Sequence, residues 1–466
     1  MSKPRAKNVD LLNDSPMRSI VLLTLPVIGS SLLQSLYNVT DTFWVSTFSS
    51  NAVAAVGAAG SFIWFTQSFM VMIRTGAQIL VGQSFGRGDQ DRADRLTAIG
   101  MQLSFFASIL VAVLQLFFTP QLIGFIGLEN PDTIRMAEAY LRISSFGLPF
   151  SYFAGVLTGV LSAVGNTRIA FRASAVGLVI NMILDPVFIL IFKQGASDTA
   201  LATLIAQIVV IALMLNEIYK TQIFPTTFNR TGLGAFRKRY AREDYWEILR
   251  LGIPSGLQTM LYSGISIFLS RIVAGFGEIE ISAKKIGGQF ENLAWTIAQA
   301  FGSSLNSFTA QNHAAGKTER LKTGYRAGIN LSLIIGIIAS VAMIIFPEQL
   351  LGIFFSNQAE IEAGARYMAI VGFSQIFQCV ELMTTGAFSG RGNTLYPSIV
   401  ISTLTVLRLP VALLLSNTSL GINGVWLAIS VSSILKGIIL WVSYEIQLKR
   451  DVRLYDEDLV KADPEL

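Results

Sequence analysis

Apolar segments of about 20 residues recur along the whole chain, and they constrain its fold more than any other feature. Each is long enough to cross the ~30 Å hydrocarbon core of a bilayer as a helix. Only 14% of the residues are charged, against roughly a quarter in soluble domains. Because lipid offers no partners to backbone polar groups, such segments must satisfy them internally. The sequence therefore predicts an all-α polytopic membrane protein that is embedded in a lipid bilayer.

Twelve transmembrane helices can be delimited in this way, six before and six after a polar stretch. The predicted spans are residues 18–47, 54–82, 96–118, 138–163, 168–192, 199–219, 248–276, 280–311, 325–346, 366–390, 396–416 and 422–445. Basic residues are concentrated in alternate loops, around residues 87–95, 168–172, 220–250, 317–326 and 449–453. The positive-inside rule then places both termini in the cytoplasm, for a multi-pass protein of the cell (inner) membrane.

The two halves of the chain repeat one another. Pro26 and Pro254 are 228 positions apart, and Gly165-Asn166-Thr167 recurs 227 positions later as Gly392-Asn393-Thr394. Because each half holds an even number of spans, both have the same orientation, as in parallel-repeat transporters. The sequence predicts two six-helix bundles around a central cleft. Residues 1–219 form the first bundle, 220–247 a solvated basic cytoplasmic linker, and 248–466 the second bundle with a cytoplasmic tail.

Several functional classes are excluded by the residues that the chain lacks. Cys379 is the only cysteine and His313 the only histidine, so neither a disulfide nor a thiolate or imidazole metal cluster is available. No nucleophile–base pair and no acidic metal-diphosphate motif is recognisable, so we predict that the protein is not an enzyme. The net charge of +5 resides in short orienting loops, which gives no indication of a nucleic-acid partner.

Two aspartates lie inside predicted spans of the first half, and they are the main indication of function. At the bilayer centre an aspartate costs about 3 kcal/mol on insertion scales. Counting ~1.5 Å per residue, Asp41, Asn181, Asp185 and Thr203 converge at one depth in the outer half of the bundle. Two carboxylates with two neutral oxygen donors suit a sodium ion, or a proton shared between the acids. The structural alternative is that each aspartate satisfies a hydrogen bond at a helix kink.

The second half does not repeat this acidic pair, because Asp41 aligns with Leu269 and Asp185 with Ala412. It carries other possible intramembrane charges: Glu291, Glu381 and Arg408. Pairing of Glu291 with Lys284 or with Arg408 would be a purely structural explanation. The sequence suggests no partner for Arg74 in the second span.

At this point a family resemblance is identifiable over nearly the whole chain. It rests on Leu36-Tyr37-Asn38-Val39-Thr40-Asp41, Gly82-Gln83, Gly165-Asn166-Thr167, Asn181-Met182-Ile183-Leu184-Asp185-Pro186 and Gln311-Asn312. These motifs together resemble the multidrug and toxic compound extrusion (MATE) family, and in particular its DinF-like prokaryotic branch. Other branches carry a glutamate in helix 7 near the position of Tyr262, which leaves the second half without a matching cation site.

The resemblance implies a V-shaped pair of bundles and a cation site at Asp41, Asn181, Asp185 and Thr203. Tyr37, Asn38 and Tyr140 are expected to support that site. We therefore expect a monomeric secondary active antiporter that exports cationic or amphiphilic organic compounds (drugs, toxins). The coupling ion would be sodium or a proton, with no other cofactor. The alternative is a flippase or exporter of a lipid-linked or anionic metabolite, which Arg74, Arg271 and Arg408 keep open.

Overall fold

The computed structural model describes residues 9–128, 130–192, 196–225, 227–228, 238–355 and 357–462. Within these ranges the chain forms helices and no strands. The first half contains α1 (Pro16–Phe48), α2 (Ser50–Gly86), α3 (Gln90–Ile126), α4 (Pro131–Ala163), α5 (Thr167–Phe192) and α6 (Ala196–Thr221). The second half contains α7 (Arg242–Ala274), α8 (Glu278–Ala314), α9 (Thr318–Ile345), the short α10 (Pro347–Leu351), α11 (Gln358–Gly372), α12 (Gln375–Gly390), α13 (Leu395–Ser416) and α14 (Ile422–Ala462).

The predicted all-α membrane fold is confirmed, with a difference in how the twelve spans are realised. In the described part of the chain, 10 helices are long and apolar enough to cross a membrane, and up to 11 if one bent pair is counted as a single span. The predicted span 280–311 does form a long helix, α8. It falls outside the apolar set because lysine, glutamate, asparagine and glutamine recur along its length.

The bent pair is α11 with α12, where the sequence predicts one continuous span over 366–390. The chain bends by 48° between the axes of the two helices, around Phe373 and Ser374. Serine hydroxyls of neighbouring helices hydrogen-bond carbonyls in the last turn of α11, from Ser340 to Gly372 at 2.7 Å and from Ser430 to Ile370 at 3.0 Å. Side chains that enter the backbone hydrogen-bond ladder in this way are a recognised cause of helix kinks.

The chain divides into two compact units whose limits do not coincide with the ends of helices. Unit 1 contains residue 9 and Leu25–Gly256, whereas unit 2 contains Asp10–Thr24 and Leu257–Leu466. The first turns of α1 therefore pack in unit 2, and the first turns of α7 pack in unit 1. Each unit therefore includes the first turns of a long helix whose remaining turns belong to the other unit.

Within unit 1, α2 and the start of α7 cross with their backbones nearly in contact. A Cβ added to Gly76 would lie 2.0 Å from the carbonyl oxygen of Ile248, and one added to Gly252 would lie 1.8 Å from that of Met72. Only glycine permits this approach, and small residues are the usual means by which membrane helices pack closely.

The linker predicted as a solvated tether is partly packed against unit 1. Phe224 and Phe228 are buried in the main apolar cluster of that unit. The backbone N–H of Thr227 donates to Asp94 Oδ1 at 3.0 Å, and the Thr227 hydroxyl donates to the Asp94 carbonyl oxygen at 2.8 Å. Residues 226 and 229–237 of the predicted linker lie outside the described residues.

In unit 2 the segment that precedes α1 is held by residues at the end of α8, in the loop that follows and at the start of α9. Leu11 is buried, and its carbonyl oxygen accepts hydrogen bonds from Asn312 Nδ2 at 2.9 Å and from Arg320 Nη2 at 3.1 Å. The Lys317 ammonium donates to the Leu12 carbonyl oxygen at 2.9 Å. Asn312 and Arg320 thus fix the start of the first helix to the second half of the chain.

Candidate functional site

The first carboxylate of the predicted site, Asp41, lies on α1 inside unit 1. Its side chain is buried although it sits in a helix of apolar composition. The hydroxyl of Thr203, in the second turn of α6, donates to Asp41 Oδ2 across 3.4 Å. The structure therefore brings Asp41 and Thr203 together across 162 positions of sequence, as the depth estimate predicts.

The second carboxylate, Asp185, lies on α5 with Asn181 one turn before it. Both side chains are fully buried, and Asn181 Nδ2 donates to Asp185 Oδ1 across 3.2 Å. Pro186, which follows Asp185, lies inside the helix and removes one backbone donor. The carboxylates of Asp41 and Asp185 are close enough for their charges to interact directly. All four side chains predicted as cation ligands are thus neighbours in one site.

Three buried oxygen atoms of this site accept no hydrogen bond from any residue that the structure describes. They are Asp41 Oδ1, Asn181 Oδ1 and Asp185 Oδ2. A buried acceptor left without a partner costs about 1–3 kcal/mol. A set of carboxylate, amide and hydroxyl oxygens suits a hard cation such as sodium, and a proton shared by the two carboxylates would satisfy part of the set. Across the described residues no cluster of three or more His, Cys, Asp or Glu side chains could hold a metal ion.

The supporting residues are only partly described. Tyr140, on α4, is half-buried, hydrogen-bonds Ser144 and lies close enough to Asp41 and Asp185 to interact with their charges. The side chains of Tyr37 and Asn38, which the sequence also places near the site, lie outside the described part of the chain.

The charges predicted in the second half form a different arrangement, inside unit 2. The Glu381 carboxylate pairs with the Lys436 ammonium, with N–O distances of 3.0 and 3.2 Å, and both side chains are buried. Glu291 Oε2 accepts a hydrogen bond of 2.8 Å from the Tyr367 hydroxyl. The Arg408 guanidinium donates to the hydroxyls of two adjacent serines on α14, Ser432 and Ser433.

This arrangement corrects the pairing suggested by the sequence. Glu291 forms its hydrogen bond with Tyr367, whereas Lys284 donates to the Ser270 hydroxyl at 3.0 Å. No ion pair joins Glu291 to Lys284 or to Arg408 among the described residues. The partner of Glu381 is Lys436, a residue that the sequence analysis does not single out. The sequence does indicate that Lys436 needs a buried partner, because it is the single basic residue inside the apolar last span.

Comparison with known families agrees with both the fold and the internal repeat. The MatE family model matches residues 26–187 and matches again over residues 254–414. The starts of the two matches are 228 positions apart and their ends 227, which are the shifts found between the halves. Together the matches cover more than half of the chain.

The chain belongs to the MatE family. Members of this family are multidrug efflux transporters of the MATE type and not enzymes. The chain is 26% identical over 446 residues to the probable multidrug resistance protein YoeA of Bacillus subtilis, covering 94% of this chain and 95% of that protein. It is 22% identical over 435 residues to a FAD transporter of Shewanella oneidensis, covering 92% of each.

The same architecture is found in solved MATE structures. An outward-facing multidrug resistance MATE family transporter of the MOP superfamily superposes with a TM-score of 0.88 at 22% identity, covering 96% of this chain and 99% of that one. This likeness confirms the fold predicted from the apolar spans. The MatE chain is a multi-pass membrane transporter for small compounds.

Proposed function

We propose that this chain is a secondary active antiporter that exports cationic or amphiphilic organic compounds in exchange for sodium ions or protons. The observation that supports this most strongly is the site of Asp41, Asn181, Asp185 and Thr203. Two carboxylates and an amide there present buried oxygens with no hydrogen-bond partner among the described residues. Buried charge in a membrane span is expensive, and such groups commonly mark ion pathways.

Coupling requires that the ion and the exported compound change each other's affinity. A sodium ion bound to the carboxylates removes the repulsion between Asp41 and Asp185. A proton bound to either carboxylate does the same. In our proposal the filled and empty forms of the site favour different conformations of the transporter, so that inflow of the ion drives release of the compound.

Sodium is the slightly favoured coupling ion. Asn181 and Thr203 do not titrate, and a proton alone would need neither as a ligand. Four oxygen-bearing side chains suit a cation that needs several ligands. Because either ion can neutralise the same carboxylates, we expect sodium ions and protons to compete for one site.

The setting of the transporter in the cell is part of the same proposal. Basic loops on one side of the predicted spans support a location in the cell membrane with both termini in the cytoplasm. We also propose that the protein works as a monomer, because each half of the repeat provides its own six-helix bundle.

A second candidate function is export of a lipid-linked or anionic metabolite. One relative is a FAD transporter, and FAD carries phosphate groups. Arg74 and Arg408 provide positive charge within the predicted spans of this chain.

Transport by the purified protein in liposomes tests the export function. Liposomes would be loaded with members of a panel of organic cations, zwitterions and anions, under an imposed sodium gradient or an imposed pH gradient. We expect at least one gradient to drive the movement of amphiphilic compounds well above protein-free liposomes. Export that is independent of both gradients would contradict antiport, and movement of the anions of the panel alone would favour the second candidate.

A further inference from the structure

The first turns of α7 present an exposed face that consists of two arginines and a tryptophan. Arg242, Trp246 and Arg250 follow one another at intervals of four residues, so their side chains project from one side of the helix. Both arginines are exposed, and Trp246 is 59% exposed. All three belong to unit 1, which includes α7 as far as Gly256. A basic and aromatic face is thus accessible at this end of the helix.

Two acidic residues of the same turns are engaged by another helix. Glu247 pairs with Arg92 at 2.9 Å, and Asp244 pairs with Arg95 at 3.4 Å. Both of these basic partners lie on α3, so the ion pairs attach the first turns of α7 to the rest of unit 1. Within the part of the chain that the structure describes, the two exposed arginines of α7 have neither an ion pair nor a side-chain hydrogen bond.

The surroundings of this face are positively charged. Lys238 and Arg239, just before the helix begins, are exposed as well. Among residues 238–250, all of which the structure describes, Glu243 is the only acidic residue outside the two ion pairs. Four exposed basic residues therefore face one acidic residue, and this excess of positive charge attracts an anionic partner.

The same face continues into the apolar part of the helix. Leu257 and Leu261, two and three turns beyond Arg250, are exposed and lie on the same stripe. Tryptophan is enriched where a membrane meets water, because its indole combines a large apolar surface with one polar group. Arginine side chains can reach from the edge of the hydrocarbon to the headgroups. Solvation of loop arginines alone would not explain an exposed tryptophan between them, whereas a lipid headgroup with its acyl chains matches the whole stripe.

We propose that the face of Arg242, Trp246 and Arg250 binds an anionic phospholipid of the leaflet that surrounds this end of α7. Guanidinium groups bind phosphate through parallel, charge-assisted hydrogen bonds. Clusters of basic residues beside a membrane span are typical of anionic-lipid recognition. A lipid bound here holds the start of α7 at the level of the headgroups. This lipid site does not depend on the proposed export function, so failure of either leaves the other intact.

Quenching of Trp246 fluorescence by brominated phospholipids tests the proposal. The purified protein would be reconstituted in phosphatidylcholine with increasing fractions of brominated phosphatidylglycerol or, in parallel, of brominated phosphatidylcholine. Because the chain has six tryptophans, the signal of Trp246 is obtained as the difference between the parent and Trp246→Phe. We expect brominated phosphatidylglycerol to quench this signal at a much lower fraction than brominated phosphatidylcholine does.

Substitution of each arginine measures its share of the lipid preference. One basic residue near an anionic lipid surface strengthens binding about fivefold, so Arg242→Gln and Arg250→Gln should each lower the preference for phosphatidylglycerol about fivefold. Each variant would be measured with and without Trp246→Phe. Arg135→Gln changes an arginine of α4 whose side chain is 82% exposed, and it should leave the preference unchanged.

Three results would overturn the proposal. Equal quenching of Trp246 in the parent by the two brominated lipids would show that the face has no preference for anionic lipid, and this result requires no arginine variant to fold. A preference that either arginine variant leaves unchanged would contradict a site formed by both guanidiniums. Protection of Trp246 from brominated phosphatidylglycerol by soluble glycerol 3-phosphate would identify a soluble phosphate compound, and not a lipid, as the ligand.

Discussion

At the scale of single residues, the candidate site combines groups that titrate with groups that do not. Asp41 and Asp185 can each exchange a proton, whereas the Asn181 amide and the Thr203 hydroxyl can only act as ligands. Asn181 contacts Asp185, and Thr203 contacts Asp41, so each carboxylate has one neutral neighbour from α5 or α6. Because of this division, substitution of the neutral ligands can distinguish sodium coupling from proton coupling.

Removal of the neutral ligands should weaken sodium-driven export more than proton-driven export. We expect Asn181→Ala and Thr203→Ala each to raise the sodium concentration for half-maximal export about tenfold, the effect of losing one interaction with a charged group. Proton-driven export at low pH should change less, because both carboxylates remain. Transport under each gradient provides the measurement, and Thr418→Ala, at an exposed position, is the control. Equal loss in both modes would identify the proton as the coupling ion.

Residue types in apolar spans were sufficient to predict the carboxylates of the site, because an intramembrane aspartate is rarely without a function. The hydrogen-bond and ion-pair partners of the buried acids in the second half could not be predicted in the same way. The partner of Glu381 is Lys436, 55 positions away on another helix, and that of Glu291 is the Tyr367 hydroxyl. These pairings depend on how α8, α11, α12 and α14 pack, which no local pattern of sequence specifies.

At the scale of helices, close packing in both units depends on glycine. In unit 2, α8 and α12 approach so closely that a Cβ on Gly386 would lie 2.0 Å from the carbonyl oxygen of Gly302. Backbone atoms cannot give way as a flexible side chain can. Glycine at this position is therefore a requirement of the helix–helix contact.

We expect Gly386→Ala to destabilise the protein by about 1–3 kcal/mol, the usual cost of overpacking a tight contact. Gly57→Ala is a matched control on α2, since an added Cβ there meets nothing within 4 Å. Thermal unfolding of both variants in detergent provides the comparison. A melting temperature of Gly386→Ala equal to that of the parent and the control would show that the helices separate without cost.

Helices were predicted well from apolar length, but their interruptions were not. The break between α11 and α12 follows from hydroxyls donated by Ser340 and Ser430, which lie on other helices. Similarly, the first part of the linker packs through Phe224 and Phe228, although the many basic residues of the linker predict solvation. In both cases tertiary contacts override the local pattern of the sequence.

At the scale of the whole molecule, the repeat explains the family match but not the distribution of charge. The two matched regions are offset by the same 228 and 227 positions as the halves of the sequence. The acidic pair occurs only in unit 1, whereas unit 2 carries the Glu381–Lys436 ion pair and Arg408. The repeat therefore accounts for the shared framework of the halves, whereas their buried charges differ.

The proposed orientation can be tested with single cysteines, because the native Cys379 is buried and should not react. A cysteine at Ser419, in the exposed turn between α13 and α14, should react with an impermeant maleimide applied to intact cells. One at Arg87, at the exposed end of α2, should react only after the membrane is permeabilised. The reverse labelling pattern would place both termini outside and invert the assigned depth of Asp41 and Asp185.

The most direct test of the central claim is gradient-driven transport by the parent, Asp41→Asn and Asp185→Asn at equal amounts of inserted protein. Each substitution keeps the size of the side chain and removes its charge, so we expect insertion to be unchanged and gradient-driven export to fall to the level of protein-free liposomes. Asp132→Asn, at a side chain that is 76% exposed, should behave as the parent. Export by either site variant at the rate of the parent would contradict the assignment of Asp41 and Asp185 as the coupling site.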